Sequence, residues 1–297
     1  MVDISGNMRL AASPGVPAAS VLLSLIRSNP VQAIAAAVLA AIVLSAIFAP
    51  LVAPFSPLDQ DIANMMSPPL TGGHLLGTDS FGRDLLSRTI FGARYALSIG
   101  FGAVLIGACG GLVVGMAAGL AGGFVEWLLM RMIDALLALP SLIMAIAFIS
   151  ILGQGVDKVI LAVGIALIGP ISRTVRADVL QVKAQAFVEA AGLMGVKRLA
   201  IVWRHILPNV IFPLAVQATI RVSYAVLVAS GLSFLGIGVA PPTPDWGLMI
   251  AEGRSFVSFA PWIAGVPGMT LAVLLIALSI VGDGVREHFD PKLRKRG

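Results

Sequence analysis

Six apolar stretches dominate this sequence, and each comes close to the roughly 20 residues that a helix needs to cross a bilayer. They cover residues 31–52, 95–120, 127–152, 159–175, 210–235 and 263–281. Because 58% of the 297 residues are hydrophobic and only 12% are charged, a water-soluble globular fold is excluded. Strands of a membrane barrel alternate in polarity over about 10 residues, whereas these stretches are continuously apolar. We therefore predict an all-α integral membrane protein with six transmembrane helices.

The Lys and Arg residues are distributed unequally between the segments that join the six stretches. If the N-terminus is cytoplasmic, most of the 20 basic residues lie on the cytoplasmic side, as the positive-inside rule requires. The predicted organisation is a cytoplasmic N-terminal segment 1–30, a membrane domain 31–285 and a basic cytoplasmic tail 286–297. Segments 53–94 and 236–262 are then external, and both termini are cytoplasmic.

Composition and motifs narrow the chemistry that the chain can carry. The sequence pI of about 9.9 is explained by the basic cytoplasmic segments, so we expect no nucleic-acid partner. Cys109 is the single cysteine, which rules out an internal disulfide and a cysteine-based metal site. The sequence contains no phosphate-binding G-x-x-x-x-G-K-[ST] motif and neither H-E-x-x-H nor G-x-S-x-G. We predict a subunit that is not an enzyme, with no catalytic residue, metal or cofactor.

One cytoplasmic segment, 176–209, is much longer than a connection between two spans requires. Within it, residues 187–209 read FVEAAGLMGVKRLAIVWRHILPN, a composition that favours helix over flexible linker. Gly195 can adopt the left-handed conformation that ends a helix, and Pro208 marks the predicted end of the next helix. The pattern predicts a rigid helix–turn–helix unit.

The surface of this unit fits two kinds of partner. The small side chains of Ala190 and Ala191 would let another protein approach closely, and Glu189 offers it a charge. Apolar contact would come from Val196, Leu199, Ile201 and Val202. Basic residues such as Lys197 and Arg198 would equally suit a helix lying on lipid headgroups. The residue pattern alone leaves both alternatives open.

The same loop resembles the cytoplasmic signature of permeases from binding-protein-dependent importers. The matching positions are Glu189, Ala190, Ala191, Gly195, Leu207 and Pro208. The resemblance implies that the loop is a coupling helix, which seats in a groove of an ATPase subunit. His205 stands where the broad family pattern prefers Ile, and residues 204–209 instead resemble the peptide and nickel branch of the family.

Further motifs resemble the second permease subunit of that branch and cover most of the chain after the first span. They include Gly77-Thr78-Asp79, Gly82-Arg83-Asp84, Pro241-Pro242-Thr243-Pro244, Glu252-Gly253-Arg254 and Asp290-Pro291-Lys292. The resemblance implies the architecture of a type I ABC importer permease in a bacterial inner membrane. Its implied partners are a homologous permease, two cytoplasmic ATPase subunits that hydrolyse ATP, an extracytoplasmic solute-binding protein and membrane lipid. The implied cargo is a dipeptide or oligopeptide, with nickel as the alternative.

Charged residues next to and within the spans are candidates for the translocation path or for docking the binding protein. Asp79, Arg83, Asp84 and Arg88 crowd the start of the second span, where they can either pair locally or serve one of those roles. Arg221 lies inside the fifth span, where an unpaired arginine is unfavourable, so it should face protein or water. It is either a path residue or one half of a structural ion pair.

Glycines recur every fourth residue through the second span and place one smooth face on the helix. They are Gly107, Gly111, Gly115, Gly119 and Gly123. Such a face lets another helix backbone pack closely, so we predict a close helix–helix contact there, with the contact between subunits as one place for it. A flexible gate is the alternative.

Two other classes of function compete with ATP-driven import. An intramembrane hydrolase would need a nucleophile and a base at matched depth, and the three histidines all lie outside the predicted spans. An ion-driven secondary transporter would need acidic residues within the membrane. Only Asp134 and Asp283 lie near span ends, which gives this alternative weak support.

Overall fold

The computed structural model describes residues 30–289. The predicted N-terminal segment as far as residue 29, and the basic tail from residue 290, lie outside the described residues. Within residues 30–289 the regular structure is helical and no strand is present. In chain order, the helices are α1 (Pro30–Ile47), α2 (Ala49–Val52), α3 (Leu85–Ala121), α4 (Gly123–Leu137), α5 (Ser141–Leu152), α6 (Val156–Lys183), α7 (Ala186–Leu193), α8 (Arg198–Ile201), α9 (Leu207–Phe234), α10 (Trp246–Gly253) and α11 (Trp262–Phe289). Single 3₁₀ turns lie at Ile62–Asn64 and Arg254–Phe256, and a π-turn at Val202–Ile206 joins α8 to α9.

The long helices confirm the predicted all-α membrane fold. Helices α1, α3, α6, α9 and α11 are each long and apolar enough to cross a bilayer, and α4 with α5 can supply a sixth span. The two members of that pair meet at 90°, so the third predicted span is broken rather than straight. Pro140 stands between them as the residue before α5, and it cannot donate the backbone hydrogen bond that would continue α4.

Helix α3 begins ten residues before the apolar stretch from which it was predicted. Its start is set by Asp84, whose side chain accepts a hydrogen bond from the Ser87 amide at 2.7 Å. Such a cap satisfies an amide that has no partner within the helix. With 37 residues, α3 is about 55 Å long and reaches from one end of the molecule to the other.

The core lies between α3 and α6, where side chains of α6 pack directly against the backbone of α3. Four of the predicted glycines, Gly107, Gly111, Gly115 and Gly119, are buried against α6. A Cβ atom added at Gly111 would lie 2.4 Å from Ile171 Cγ2, and one at Gly119 would lie 2.7 Å from Val179 Cγ1. The predicted close contact is confirmed at these four positions, and it forms within the subunit.

The fifth glycine of the series was assigned to this face wrongly. Helix α3 ends at Ala121, because Gly122 takes a positive φ of 68° and caps it. Gly123 therefore lies beyond the helix, and no atom of a neighbouring residue comes within 4 Å of its ideal Cβ position. The periodicity in the sequence continued past the point where the helix stops.

Hydrogen bonds between distant segments define the two ends of the bundle. At one end, Trp246 Nε1 donates to the Thr89 carbonyl at 3.0 Å and Trp262 Nε1 donates to the Thr78 carbonyl at 3.3 Å. At the other end of α3, Lys183 Nζ donates to the Gly119 carbonyl at 2.9 Å. The two segments predicted to be external thus share one end, and the loop after α6 lies at the opposite end.

Candidate functional site

The loop that carries the importer signature begins with the predicted helix and turn. Helix α7 covers the Glu-Ala-Ala sequence, and Gly195 follows it with a φ of 78°. The turn is closed by the Gly195 amide, which donates to the Gly192 carbonyl at 3.0 Å, and by the Val196 amide, which donates to the Ala191 carbonyl at 3.2 Å. Glycine adopts this conformation without strain. The structure therefore confirms the prediction that Gly195 ends a helix.

The second half of the loop differs from the prediction, because Pro208 does not end a helix. Helix α8 continues through the π-turn, in which the Leu207 amide donates to the Val202 carbonyl, directly into α9. Pro208 occupies the first turn of α9, where a missing amide donor is tolerated. Next to Pro208, the Asn209 side-chain amide donates a hydrogen bond to the His205 carbonyl at 2.6 Å.

The six signature residues differ in exposure. Glu189, Ala190, Gly195 and Pro208 are exposed, and Leu207 is half-buried. Ala191 is 4% exposed and belongs to the apolar core. Only the first alanine is therefore available to a partner, and the second holds α7 against its own subunit.

Five large apolar side chains project from this loop, and the sequence predicted an apolar contact at only one of them, Leu199. They are Phe187, Leu193, Met194, Leu199 and Trp203. Leu193 is 83% exposed and Met194 is 77% exposed, although soluble surfaces rarely gather so many apolar groups. We call these five residues, together with Glu189 and Ala190, the coupling surface. Their clustering in a polar loop is the signal from which they could have been found.

At the opposite end, the charged residues predicted at the start of the second span form a buried cluster. Asp79 Oδ2 accepts a hydrogen bond from Arg83 Nε at 2.6 Å and lies 3.5 Å from Arg88 Nε. Arg83 Nη2 also donates to Glu252 Oε2 at 2.9 Å. Asp79 and Arg83 are each 3% exposed, and Arg88 is fully buried. We call Asp79, Arg83, Arg88 and Glu252 the external ion cluster.

Asp84, the fourth predicted residue, is engaged separately. Its Oδ1 atom lies 2.9 Å from His74 Nδ1, and its Oδ2 atom caps α3. His74 Nε2 in turn lies 3.9 Å from Asp61 Oδ2. The Asn64 side-chain amide donates to Asp61 at 2.7 Å and lowers the pKa of that carboxyl. All four residues at the start of the second span therefore have partners within the subunit, but several of those partners, such as His74 and Glu252, lie outside the predicted group.

Arg221, the remaining candidate, lines a large cavity on the membrane domain. The cavity has a volume of about 870 Å³ and lies between α5, α6, α9 and α11. Its lining comprises Ser141, Ala166, Leu167, Pro170, Gln181, Phe212, Pro213, Val216, Gln217, Ile220, Arg221, Tyr224 and Arg286. Two of these side chains are basic and none is acidic.

The Arg221 side chain is half-buried. Among residues 30–289, no hydrogen bond or ion pair engages its guanidinium group. An arginine exposed to lipid at the centre of a bilayer costs about 2.5 kcal/mol or more, and its position on the cavity wall fits the prediction that it faces protein or water. The structure thus gives Arg221 no ion pair within residues 30–289 and places it on the cavity wall, and pairing with an acidic group of a partner subunit stays a prediction.

Comparisons with known proteins agree with this geometry. Residues 111–295 match the family described as binding-protein-dependent transport system inner membrane component, and residues 24–69 match the N-terminal TM domain of oligopeptide transport permease C. The di/tripeptide transport system permease protein DppC of Pseudomonas aeruginosa is 43% identical over 85% of each chain. The glutathione transport system permease protein GsiD of Escherichia coli is 38% identical over 85% of this chain and 84% of its own.

A solved structure shares the fold at a greater distance in sequence. It is the crystal structure of an amino acid ABC transporter with histidines, which matches with a TM-score of 0.54 at 15% identity. The match covers 69% of this chain and 95% of the other, and it confirms the predicted permease fold. Because the family match extends over more than half of the sequence, this chain belongs to the family of inner membrane components of binding-protein-dependent transport systems.

Proposed function

We propose that this chain is one of two homologous permease subunits of an ATP-driven importer that moves short peptides across a bacterial inner membrane. The observation that carries the proposal is the position of the coupling surface in the chain. Its loop directly joins α6 to α9, and both helices line the cavity. A push on the loop would therefore act on two walls of the cavity at once.

The transport cycle follows from this connection. Two cytoplasmic ATPase subunits close on ATP, and one of them pulls the coupling surface with it. The displacement passes along α6, and through the continuous π-turn along α9, so that the cavity opens toward one side of the membrane and closes toward the other. Gly195 keeps the loop rigid enough to transmit the movement, since its closed turn leaves little freedom between α7 and α8.

The other partners follow from the two remaining surfaces. A homologous permease covers the open side of the cavity and completes the path, and membrane lipid surrounds the pair. An extracytoplasmic binding protein delivers cargo at the end where the external ion cluster holds the loops together. Both termini are cytoplasmic in this arrangement. Peptides are favoured over nickel as cargo because relatives at 35 to 43% identity are named for peptide transport.

Uptake into proteoliposomes tests the proposal. The chain is reconstituted with its genetically adjacent permease, ATPases and binding protein, and uptake of alanyl-alanine is measured with and without ATP. Glu189→Lys on the coupling surface and Gly195→Pro in its turn should each lower ATP-dependent uptake at least tenfold while the complex still co-purifies. The matched control, Asp157→Lys, reverses an exposed carboxylate at the other end of α6 and should transport normally.

Two results would contradict the proposal. Uptake that is unchanged in Glu189→Lys would remove the coupling role of the loop. Uptake that survives ATP depletion but collapses with an ion gradient would identify a secondary transporter instead.

A further inference from the structure

Among residues 30–289, the side chains that line the cavity carry an unbalanced positive charge. Arg221 and Arg286 line it, and the other polar side chains on its wall, including Gln181 and Gln217, are neutral. A membrane-embedded space with two cations and no carboxylate is selective, because in a medium of low polarity it attracts an anionic group and repels an ammonium group.

The two arginines lie at different depths. Arg221 is in the middle of α9, which runs from Leu207 to Phe234, and it therefore lies near the centre of the membrane. Arg286 is in the last turn of α11, at the same end of the bundle as the coupling surface. The cavity thus has one guanidinium deep within it and a second at its mouth.

Neighbouring side chains add hydrogen-bonding groups around the deep arginine. Gln217 precedes Arg221 by one helical turn and Tyr224 follows it by three residues, so all three share one face of α9. The Tyr224 hydroxyl is hydrogen-bonded to Ser141 on α5, which holds the ring in place. The remainder of the wall nearby is apolar, formed by side chains such as Val216 and Ile220.

We propose that Arg221 binds the free C-terminal carboxylate of a peptide in transit, with Arg286 as a second station for the same group at the mouth of the cavity. The inference rests on the proposed function and names which part of the peptide this subunit reads. A guanidinium group donates two parallel hydrogen bonds to a carboxylate, and Gln217 can donate a third. The apolar wall accepts peptide side chains without selecting among them, which suits a carrier of many sequences.

Protection from maleimide labelling tests the carboxylate contact directly. The Gln217→Cys substitution is made in the assembled transporter after the native thiol is removed by Cys109→Ser. The labelling rate is then measured without nucleotide, in the presence of alanyl-alanine or of its C-terminal amide. The free acid should slow labelling at least threefold, and the amide should not. Adding Arg221→Gln should abolish the protection, and Arg221→Lys, which keeps the charge, should restore part of it.

Uptake by the same transporter provides an independent measurement. Arg221→Gln should lower ATP-dependent alanyl-alanine uptake at least tenfold while the complex still co-purifies. The matched control is Arg94→Gln, which removes an exposed arginine from α3 that is outside the cavity lining, and it should transport normally.

The outcomes separate this inference from the proposed function. A wild-type complex that moves no peptide contradicts the proposed function itself. Peptide uptake that is normal in Arg221→Gln, or equal protection by the acid and the amide, overturns the carboxylate assignment and leaves the importer intact. Arg221→Gln could also fail to assemble while the acid and the amide protect the Gln217→Cys transporter equally. That result would show that Arg221 pairs with an acidic residue of the partner permease instead of with the peptide.

Discussion

The external ion cluster and the coupling surface lie at opposite ends of the molecule. The cluster buries charged side chains, whereas the coupling surface exposes apolar side chains. In the cluster, Asp79, Arg83 and Arg88 are buried and pair with charged neighbours, across 169 residues of sequence in the case of Arg83 and Glu252. In the coupling surface, apolar side chains such as Leu193 and Trp203 are left in contact with solvent. The charged end finds its contacts within the subunit, whereas the proposed function assigns a partner to the apolar end.

This contrast predicts that substitutions at the two ends change different properties, the stability of the subunit at one end and its binding to a partner at the other. Substitutions in the external ion cluster should weaken the subunit whether or not other subunits are present, because its partners are internal. Substitutions on the coupling surface should leave the subunit stable and change only what binds to it. The four predictions below test that separation in order of expected effect.

The largest effect is expected from Asp79→Ala in the external ion cluster. The substitution leaves Arg83 and Arg88 buried without their shared carboxylate, and breaking a buried ion pair in this way costs about 3–5 kcal/mol. The thermal unfolding midpoint of the purified subunit in detergent should fall accordingly. Asp157→Ala, which removes an exposed carboxylate paired with Lys158, should leave the midpoint unchanged. Equal midpoints for the two variants would show that the cluster does not hold the external end together.

The next effect is expected from Leu193→Asp on the coupling surface. Because the side chain is exposed, the unfolding midpoint should stay constant, whereas a charge placed in an apolar contact should weaken ATPase binding at least tenfold, or about 1.4 kcal/mol. Co-purification of the ATPase with the membrane subunit provides the measurement. The control is Leu70→Asp, an equally exposed leucine on the external side. If both variants bind the ATPase normally, the surface is not the docking site.

The sequence was sufficient for five of the six spans and for one helix contact, and the physical reasons differ between the two. Transfer into lipid depends on the summed hydropathy of about 20 neighbouring residues, so the spans can be read from local composition. Four glycines of α3 repeat with the helical period, and their contact with α6 followed from that period. The fifth failed because a backbone cap at Gly122, and not the period, decided where the helix ends.

The parts of the site that escaped prediction depend on contacts between distant segments. Nothing near Arg83 in sequence indicates Glu252, and nothing near Ala191 shows that it would be buried while Ala190 is exposed. The cavity is lined by four separate helices, so only Arg221, a charge within an apolar span, could be singled out beforehand. The motifs located the loop, and packing decided which of its residues face outward.

A smaller effect is expected from Gly195→Ala in the coupling loop. The turn requires a positive φ of 78°, which disfavours a residue with a Cβ by about 1 kcal/mol, although space for the methyl group is open. Hydrogen exchange of the amides of α7 should become faster. Gly192→Ala is the control for a general effect of an added methyl group, since Gly192 is helical and equally open. At that position alanine should slow exchange. Faster exchange in both variants would mean that the backbone conformation at Gly195 is not what holds the turn.

The smallest effect is expected at the external end, from Asp245→Asn. Asp245 is 4% exposed and caps α10 by accepting a hydrogen bond from the Leu248 amide at 2.9 Å. Burial raises the pKa of this carboxyl, and the hydrogen bonds only partly oppose that shift. The folded state therefore takes up a proton at a higher pH than the unfolded state, so wild-type stability rises as the pH falls through the raised pKa toward 3.8.

Asparagine caps helices as well as aspartate does and carries no charge. The Asp245→Asn variant should therefore be more stable than the wild type at pH 7 by less than about 1 kcal/mol, and the difference should shrink at lower pH. Unfolding midpoints of both proteins between pH 4 and 7 measure this, and a difference that grows on acidification would show that the ionised carboxylate stabilises the external end.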